Sequence, residues 1–416
     1  MLTVAEALAI VLENVQPLSE QPAALDRDVL GLLLAEDVAS DLDMPPFDKA
    51  MMDGFAVRTA DLRGGRAELA ITDEILAGKM PTRSVGAGEA ARIMTGAPVP
   101  RGADVVVMIE RCELLGDRVR IDDDNARPGK NILPRGKEMR EGEVVLHAGS
   151  RIRPQELGLL AAVGRTQVRV QPRPRVAILS TGDEIVEPGV KPGPSQIRNS
   201  NGMMLVGQTA RAGAVPHFCG IAPDEPAKLK AMIAEGLRDD VLLLSGGVSA
   251  GKLDLVPGIL QELGVQALFH KVSMKPGKPV LFAILPSAHR GRGAGGEGES
   301  PPRVVFGLPG NPISSLVCFE LFVRPALRRM LGLRPGPEWV KATLTQDGVY
   351  KTDRPTYHPA ILQPTPSGWT VAMVSWFGSP DLRGVTAANA FALLSVGDHT
   401  YRTGQTLDVL RVEGVD

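Results

Sequence analysis

Between residues 173 and 332, short apolar runs alternate with segments that have the pattern or the capping residues of helices. The apolar runs predict strands at residues 176–179, 241–244, 280–285 and 304–307. Helices are predicted at residues 201–212, from Asp224 to about 237, at 257–263, and in a long segment that starts at Asn311 with Pro312 in its first position. This alternation predicts a doubly wound parallel sheet with helices on both faces.

The rest of the chain differs in texture from this α/β region. Residues 45–140 hold short apolar runs among Gly and Pro, which predict a β-rich insert. The first forty residues and residues 151–164 have a helical pattern. A length of 416 residues suggests about three domains. The predicted regions of this multidomain α/β chain are a split helical domain (1–44 and 141–172), the β-rich insert (45–140), the α/β domain (173–332) and a C-terminal β-barrel-like domain (333–416).

The composition argues against several classes of protein. Net charge is −2, so no overall field favours nucleic acid or an anionic membrane. Cys112, Cys219 and Cys318 lie far apart without a CxxC, which predicts neither a zinc knuckle nor a disulfide framework. The N-terminal segment lacks the pattern of a signal peptide and has Thr3 and Glu6 at capping-box spacing. No apolar run approaches the roughly 20 residues of a membrane span, so we expect a cytoplasmic protein.

Polar or Gly-rich turns follow three of the predicted strands. STGDE follows the first strand, SGGVSAGKLD the second and LPGNP the fourth. Because ligands of a doubly wound sheet bind beyond the carboxyl ends of its strands, we expect these turns to line one cleft. The segment KVSMKPGKP, just before the third strand, adds Lys271, Lys275 and Lys278.

The segment SGGVSAGKLD has the spacing of a nucleotide-binding P-loop but departs from it at one position. Gly246, Gly251 and Lys252 fit the pattern, while Leu253 stands where a P-loop has Ser or Thr to hold Mg²⁺. The consecutive glycines can still point backbone N–H groups inward as an anion nest. Asp254 can supply the oxygen that the missing hydroxyl does not, because Mg²⁺ accepts carboxylate ligands.

Further acidic residues, Asp183, Glu184 and Asp224, lie in other turns of this region and can add ligands. A cleft with oxyanion donors, lysines and a carboxylate-held cation suits a substrate that carries phosphate or pyrophosphate. Each feature also has a simpler interpretation, since Gly-rich turns often only connect elements, acidic residues cap helices and lysines are usually solvated. The functional interpretation therefore depends on the placement of three turns at one end of the sheet.

The β-rich insert carries a second set of turns. Asp53 precedes Gly54 in MMDGFAV, and Thr95 precedes Gly96 in IMTGAPVP. Taken alone, these are ordinary turns. The six histidines are scattered, and no Ser/His/Asp set can be paired from their spacing.

Taken together, the motifs resemble those of a known family. MMDGFAV, RIMTGAPVP, STGDE, SGGVSAGKLD, KPGKP and LPGNP occur in the order seen in the molybdopterin molybdenumtransferases, the bacterial relatives of the carboxy-terminal enzyme domain of gephyrin. The resemblance extends over nearly the whole chain. Each motif is weak alone, but all of them in order are highly specific.

The resemblance implies a magnesium-dependent transferase of molybdenum cofactor biosynthesis. That family inserts molybdenum from molybdate into adenylylated molybdopterin and releases AMP. The implied catalytic positions are Asp53, Thr95, Glu184, Asp224, Asp254, Lys271 and Lys275. Among these, Glu184, Asp224 and Asp254 would also hold Mg²⁺. The positions assigned to substrate binding are Ser180, Gly182, Gly246, Gly247, Ser249, Lys278, Pro309, Gly310 and Pro312.

The resemblance also implies a homodimer, in which each cleft combines the α/β domain of one subunit with the insert of the other. The adenylyltransferase that makes the substrate is a further expected partner. Glu138 stands where the family usually has Asp, and residues 286–302 form a low-complexity insertion that predicts a surface loop. Two other functions fit parts of the sequence: a related adenylylating enzyme, which would lack the extra domains, and a non-catalytic scaffold, which would not need the acidic and lysine positions.

Overall fold

The computed structural model describes residues 1–247, 255–286 and 301–412. The chain forms two compact units. The insert unit consists of Pro22–Leu30 and Leu34–Arg169, and the sheet unit consists of Met1–Gln21, Gly31–Leu33 and Val170–Asp416. Within the described ranges, no helix is both long enough and apolar enough to cross a bilayer. The division into four domains stays a prediction.

Helices and strands are numbered in chain order. The α-helices of the described residues are α1 (Val4–Glu13), α2 (Pro154–Ala162), α3 (Ser200–Arg211), α4 (Pro226–Gly236), α5 (Val256–Glu262), α6 (Pro312–Cys318) and α7 (Arg324–Met330). The strands up to residue 170 are β1 (Gln21–Ala24), β2 (Val38–Ala39), β3 (Lys49–Ala50), β4 (Gly54–Val57), β5 (Arg66–Ile75), β6 (Glu89–Ile93), β7 (Val105–Met108), β8 (Cys112–Leu115), β9 (Arg118–Asp122), β10 (Ile132–Leu133), β11 (Val144–Leu146) and β12 (Gln167–Val170). The later strands are β13 (Arg175–Thr181), β14 (Ile185–Val186), β15 (Ile197–Arg198), β16 (Val215–Ala222), β17 (Val241–Ser245), β18 (Gln266–Phe269), β19 (Leu281–Leu285), β20 (Arg303–Leu308), β21 (Trp339–Leu344), β22 (Gly348–Thr352), β23 (Thr356–Thr365), β24 (Gly368–Met373), β25 (Ala390–Leu394), β26 (Gly397–Tyr401) and β27 (Thr406–Arg411).

Helix α1 begins at the capping box that the sequence predicts. The Thr3 hydroxyl accepts from the Glu6 N–H at 3.2 Å, and the Glu6 carboxylate accepts from the Thr3 N–H at 2.8 Å. The prediction that the first forty residues are helical is wrong beyond Glu13, where short strands and a 3-10 turn follow. Pro17 and Pro22 explain the difference, because proline cannot donate the backbone hydrogen bond that a helix interior requires.

The insert unit is built around a mixed sheet, which confirms the β-rich character expected of residues 45–140. Its described strands pair in the order β7-β4-β6-β5-β9-β8, and only the β5–β6 pair among them is parallel. Phe55 and Val57 on β4 are fully buried on one face, and Ala56 is buried on the other. Strand β4 thus carries apolar residues on both faces and fixes the position of residues 51–53, the part of MMDGFAV that precedes it.

The sheet unit contains the predicted α/β sheet, with one correction to its topology. Its described strands pair in the order β16-β13-β17-β20-β19-β18. Strands β16, β13, β17 and β20 are parallel, whereas β19 is antiparallel to β20 and β18 is antiparallel to β19. The expectation of a wholly parallel sheet is therefore wrong for β19, whereas β18, which the sequence does not predict as a strand, runs in the same direction as β20. The sequence between β19 and β20 has no helical pattern, and a direct connection without a crossover element requires antiparallel neighbours.

Both faces of this sheet are covered by helices. Alternate residues of β17 point to opposite sides, so Val241 and Leu243 pack with α1, α3 and α6 while Leu242 and Leu244 pack with α4 and α5. All four side chains are at most 1% exposed. Each contributes roughly 1.5–3 kcal/mol relative to an exposed position. This packing makes the sheet a fixed support for the turns that leave its edge.

The C-terminal residues form a closed barrel in the order β21-β24-β23-β25-β27, as the sequence predicts for this region. Strands β22 and β26 pair beside it. The barrel contacts the lysine-rich segment before β19, because the Lys275 N–H donates to the Pro355 carbonyl at 2.9 Å and the Tyr357 N–H donates to the Lys275 carbonyl at 2.7 Å. The barrel thus fixes the backbone position of Lys275.

Candidate functional site

The three strands that precede the motif turns end side by side at the carboxyl edge of the central sheet. Ser180 on β13 is in register with Ser245 on β17, and Ser245 is in register with Leu308 on β20. The three strands therefore end at the same level. This placement brings together the predicted binding positions Ser180, Gly182, Gly246, Gly247, Pro309 and Gly310, with Pro312 as the first residue of α6.

The turn after β17 passes very close to its neighbours. Gly246 has a φ of 90° and Gly247 a φ of 62°, both in the left-handed region that favours glycine. A Cβ atom at Gly246 would stand 2.6 Å from the Thr181 carbonyl oxygen, so no larger residue fits without a shift. The Gly246 N–H also donates to the Leu308 carbonyl at 3.2 Å. Ser249 and Asp254, predicted in the same motif, lie outside the described residues.

Two asparagines at the start of α3 hold the three turns together. The Asn199 side-chain oxygen accepts from the Gly202 N–H at 2.9 Å and from the Ser180 hydroxyl at 3.1 Å. The Asn201 amide donates to the Ser245 hydroxyl at 2.9 Å and to the Gly310 carbonyl at 2.8 Å. These asparagines are missing from the residues predicted for the site. The available signal was the segment Asn-Ser-Asn at the start of the predicted helix.

Several buried polar atoms at this edge have no partner among the described residues. They are the Thr181 hydroxyl, the Asn199 side-chain nitrogen and the Asn201 side-chain oxygen. Leaving such a group unpaired costs about 1–3 kcal/mol, so proteins keep few of them. Because the three atoms include a donor, an acceptor and a hydroxyl, they suit a neutral polar ligand group better than a phosphate, which offers only acceptors.

The described acidic residues of the edge are exposed, and a hydrogen bond links only two of them, Asp183 and Asp224. The Asp224 N–H donates to the Asp183 carboxylate at 3.0 Å, which joins the turns after β13 and β16. Asp224 does not cap α4, whose N-cap is Glu225, so that simpler interpretation is wrong. Among the described residues, no three His, Cys, Asp or Glu side chains are placed to hold a metal. Glu184 and Asp224 have the carboxylate chemistry that Mg²⁺ prefers, but with the described residues alone they do not complete a site.

The lysine-rich segment reaches the same edge because β19 is antiparallel. Leu281 at the start of β19 is in register with Gly307 near the end of β20, so Lys278 lies at the carboxyl edge of the parallel strands. Lys271, Lys275 and Lys278 are all exposed. Exposed ammonium groups at this edge can meet an anionic substrate.

The turn after β20 also connects to the C-terminal region. Asn311 is the N-cap of α6, as expected, but its side chain makes no capping hydrogen bond to the helix. It donates instead to the Ser379 hydroxyl at 2.9 Å, and the Ile313 N–H donates to the Ser379 carbonyl at 3.1 Å. The segment around Ser379 is therefore fixed against the LPGNP turn.

The insert unit holds the other predicted positions, Asp53 and Thr95. Antiparallel pairing of β4 with β6 sets Gly54 opposite Ile93 and brings the two motif turns together. One Asp53 carboxylate oxygen accepts from the Thr95 N–H and from the Thr95 hydroxyl, both at 2.7 Å. The simpler interpretation of two separate turns therefore misses a direct contact between them. Both residues are exposed, so the pair can meet a ligand.

Comparison with known proteins agrees with the geometry of both units. Residues 2–164 match the family described as "MoeA N-terminal region (domain I and II)", and residues 177–329 match "Probable molybdopterin binding domain". The molybdopterin molybdenumtransferase of Staphylococcus aureus (strain COL) is 32% identical, over 99% of this chain and 95% of its own length. The chain belongs to the molybdopterin molybdenumtransferase family. The enzyme of that name from Bacillus subtilis (strain 168) is 34% identical, over 93% of this chain and 88% of its own length.

Solved structures support the same assignment. The crystal structure of a molybdopterin biosynthesis MoeA protein from Pyrococcus horikoshii is 30% identical, covers the whole of both chains and has a TM-score of 0.81. The crystal structure of a molybdopterin biosynthesis MoeA protein from Pyrococcus horikoshii OT3 is 28% identical, covers 99% of this chain and all of its own, and has a TM-score of 0.74. A molybdenum cofactor biosynthesis protein from Pyrococcus furiosus, at 19% identity and a TM-score of 0.55, shares the fold. The family resemblance of the sequence motifs is thus confirmed over the full chain.

Proposed function

We propose that this chain is a molybdopterin molybdenumtransferase, which inserts molybdenum from molybdate into adenylylated molybdopterin and releases AMP. Full-length relatives with that name support the proposal. The observation that carries it is the alignment of three motif turns at one sheet edge, with two left-handed glycines and unpaired buried polar atoms between them. This edge offers anion binding and neutral polar recognition side by side.

The residues of the edge suit the chemistry of that reaction. Cleavage of a phosphoanhydride leaves negative charge on both fragments, and fixed donors stabilise such charge strongly when they are oriented in advance. The Gly247 backbone can supply an N–H donor, because the Gly246 N–H already donates to Leu308, and Lys275 and Lys278 supply positive charge toward phosphate and molybdate oxygens. The unpaired donor and acceptor atoms near β13 suit the polar ring of the pterin.

We also propose that Glu184, Asp224 and Asp254 together hold Mg²⁺, as the family resemblance implies. Two of these residues contribute exposed carboxylates at the edge. The ion would neutralise phosphate charge when it is bound. Activity measured with and without a chelator, then restored with Mg²⁺, tests this role separately from the function itself.

The deciding assay measures AMP release from adenylylated molybdopterin in the presence and absence of molybdate. Molybdate-dependent AMP release supports the proposed transferase. An adenylylating enzyme would instead consume ATP and form the adenylylated product, and a scaffold would release no AMP. Either of those results would reject the proposal.

The remaining parts of the proposal concern assembly and location. We propose a homodimer located in the cytoplasm, with the adenylyltransferase that supplies the substrate as a transient partner. Light scattering of the purified protein tests the dimer, since one chain has a mass of 44.2 kDa and a dimer twice that. Fractionation of the producing cells tests the location, and co-purification tests the partner.

A further inference from the structure

One aromatic side chain near the proposed site is almost wholly exposed. Phe377 is 92% exposed, whereas Tyr357 and Phe391 of the same region are at most 3% exposed. The neighbouring Trp376 packs inward, with its ring 5.6 Å from the His358 ring in an edge-to-face contact. Exposing a whole phenyl ring forfeits roughly 1.5–3 kcal/mol of burial. A single exposed apolar side chain is common on protein surfaces, so the position of this ring relative to the sheet edge is what points to a ligand.

The backbone that carries Phe377 is fixed. The Asp381 carboxylate accepts from the Phe377 N–H at 3.0 Å and from the Gly384 N–H at 2.9 Å. The Asp381 N–H in turn donates to the Gly378 carbonyl at 3.1 Å. The ring is therefore presented by a closed turn, and its exposure does not result from a loose chain.

A continuous series of hydrogen bonds joins this turn to the sheet edge. Ser379, two residues after Phe377, accepts from the Asn311 amide at 2.9 Å. Asn311 follows Gly310, whose carbonyl accepts from Asn201 at 2.8 Å. Phe377 thus stands beside the turn after β20, at the end of the site that faces the C-terminal barrel.

We propose that Phe377 is a stacking platform for the adenine ring of the adenylylated substrate and of the AMP product. This proposal rests on the proposed function. Across the edge, the unpaired Thr181 hydroxyl and Asn199 side-chain nitrogen lie by β13, the left-handed glycines follow β17, and the exposed ring stands beside the turn after β20. Adenylylated molybdopterin has the same linear order of polar pterin, two phosphates and base.

The hydrogen-bonding groups of the adenine and the pterin decide which of these two substrate rings stacks on Phe377. A phenyl ring offers no hydrogen bonds, so it binds a base by stacking alone and tolerates any base. The pterin, which carries several donors and acceptors, fits the unpaired polar atoms near β13 better. An exposed platform also suits a leaving group, because AMP must return to solvent after each turnover.

The test measures binding of AMP and of ribose 5-phosphate to wild type, Phe377→Ala, Phe377→Trp and Val349→Ala. Loss of one base–aromatic stack should weaken AMP binding to Phe377→Ala about fivefold to a hundredfold. Ribose 5-phosphate, which lacks the base, should bind wild type and Phe377→Ala equally. Phe377→Trp should retain AMP binding, and Val349→Ala, a change at a 77% exposed side chain of β22, should behave as wild type.

Three results would overturn the inference. The first is equal AMP affinity in wild type and Phe377→Ala. The second is weaker binding of molybdopterin without AMP and unchanged binding of AMP, which would assign the ring to the pterin. The third is a different oligomeric state of Phe377→Ala, which would assign the ring to an interface between copies of the chain. Thermal unfolding of each variant controls for folding. If wild type shows molybdate-dependent AMP release while any of these results holds, only the role of Phe377 fails. If wild type shows no such release, the proposed function itself fails.

Discussion

Thr95 donates two hydrogen bonds of 2.7 Å to one carboxylate oxygen of Asp53, from its backbone N–H and from its hydroxyl. These bonds, with the backbone bond as the larger cause, hold the pKa of Asp53 below its ordinary value. The same two bonds stabilise the ionised form of Asp53 and fix the orientation of its carboxylate.

The first prediction concerns this pair. Thr95→Val removes the hydroxyl donor and keeps the backbone donor, so the pKa of Asp53 should rise but stay below the ordinary value. NMR titration of the Asp53 carboxyl carbon measures it. Because the folded pKa is depressed, the stabilisation from the pair is present above the unfolded pKa and disappears as pH falls through the folded value. An unchanged Asp53 titration in Thr95→Val would show that the hydroxyl does not stabilise the charge.

Thr82 offers a matched control in the same unit. Its N–H and hydroxyl both donate to one Asp73 carboxylate oxygen at 3.0 Å. Thr82→Val should therefore shift the pKa of Asp73 and leave that of Asp53 unchanged. Turnover should drop roughly tenfold in Thr95→Val, the usual effect of losing a hydrogen bond to a charged group, and stay near wild type in Thr82→Val.

The second prediction concerns Asn201. Asn201→Ala leaves the Ser245 hydroxyl and the Gly310 carbonyl without their donor, which should lower the free energy of unfolding by about 2–4 kcal/mol and reduce substrate affinity. Thr209→Val, on the same helix, is the control. The buried Thr209 hydroxyl has no partner among the described residues, so the isosteric change should be neutral or stabilising. Urea unfolding of both variants checks the contrast, and equal destabilisation by the two changes would contradict it.

Much of this site could be predicted, because each motif directly follows a short apolar strand in the sequence. The ends of β13, β17 and β20 and the turns after them are read directly from the pattern. The antiparallel direction of β19 was missed, although the absence of a helix before β20 carries that information. The contact of Asp53 with Thr95 and the bridge from Asn201 to Gly310 depend on pairings between residues 42 and 109 positions apart, which no local pattern specifies.

The third prediction concerns the buried carboxylate of Glu320, on the π-helical turn Phe319–Val323 between α6 and α7. It accepts from Gln208 at 2.9 Å, from Arg324 at 3.2 Å and from Arg211. Glu320→Ala removes the buried carboxylate that Gln208, Arg211 and Arg324 share, while Arg324 keeps its ion pair with Glu338 at 3.0 Å, and should destabilise by about 3 kcal/mol. Glu320→Gln keeps an acceptor of the same shape and should cost less. Chemical denaturation that ranks Glu320→Gln as the worse variant would contradict this account.

The fourth prediction concerns the low-complexity insertion, of which residues 287–300 lie outside the described residues. Its flanks are neighbours, since Leu285 at the end of β19 is in register with Arg303 at the start of β20. That end of β19 is opposite to the end that carries Lys278. Replacing residues 287–300 with a short Gly-Ser link should leave both the melting temperature and molybdate-dependent AMP release close to wild type. A large loss of either would show that the segment packs or binds something.

The last prediction tests the proposed homodimer through Asp53 and Lys275, which belong to different units of the chain. If each active site takes Asp53 from one subunit and Lys275 from the other, then Asp53→Ala and Lys275→Ala homodimers carry a lesion in every site. A heterodimer of the two variants carries both lesions in one site and none in the other, because two-fold symmetry creates two equivalent sites. After random subunit exchange, half of the dimers are heterodimers with one intact site, so mixing should restore about a quarter of wild-type turnover.

The control mixes Asp53→Ala with Thr95→Ala, whose lesions fall in the same unit. Each site of that heterodimer would still carry one lesion, so mixing should restore nothing. Native mass measurement confirms that heterodimers form, and AMP release measures turnover before and after exchange. Restoration in the control mixture, or its absence when Asp53→Ala and Lys275→Ala form confirmed heterodimers, would show that the two residues do not act in a site shared between subunits.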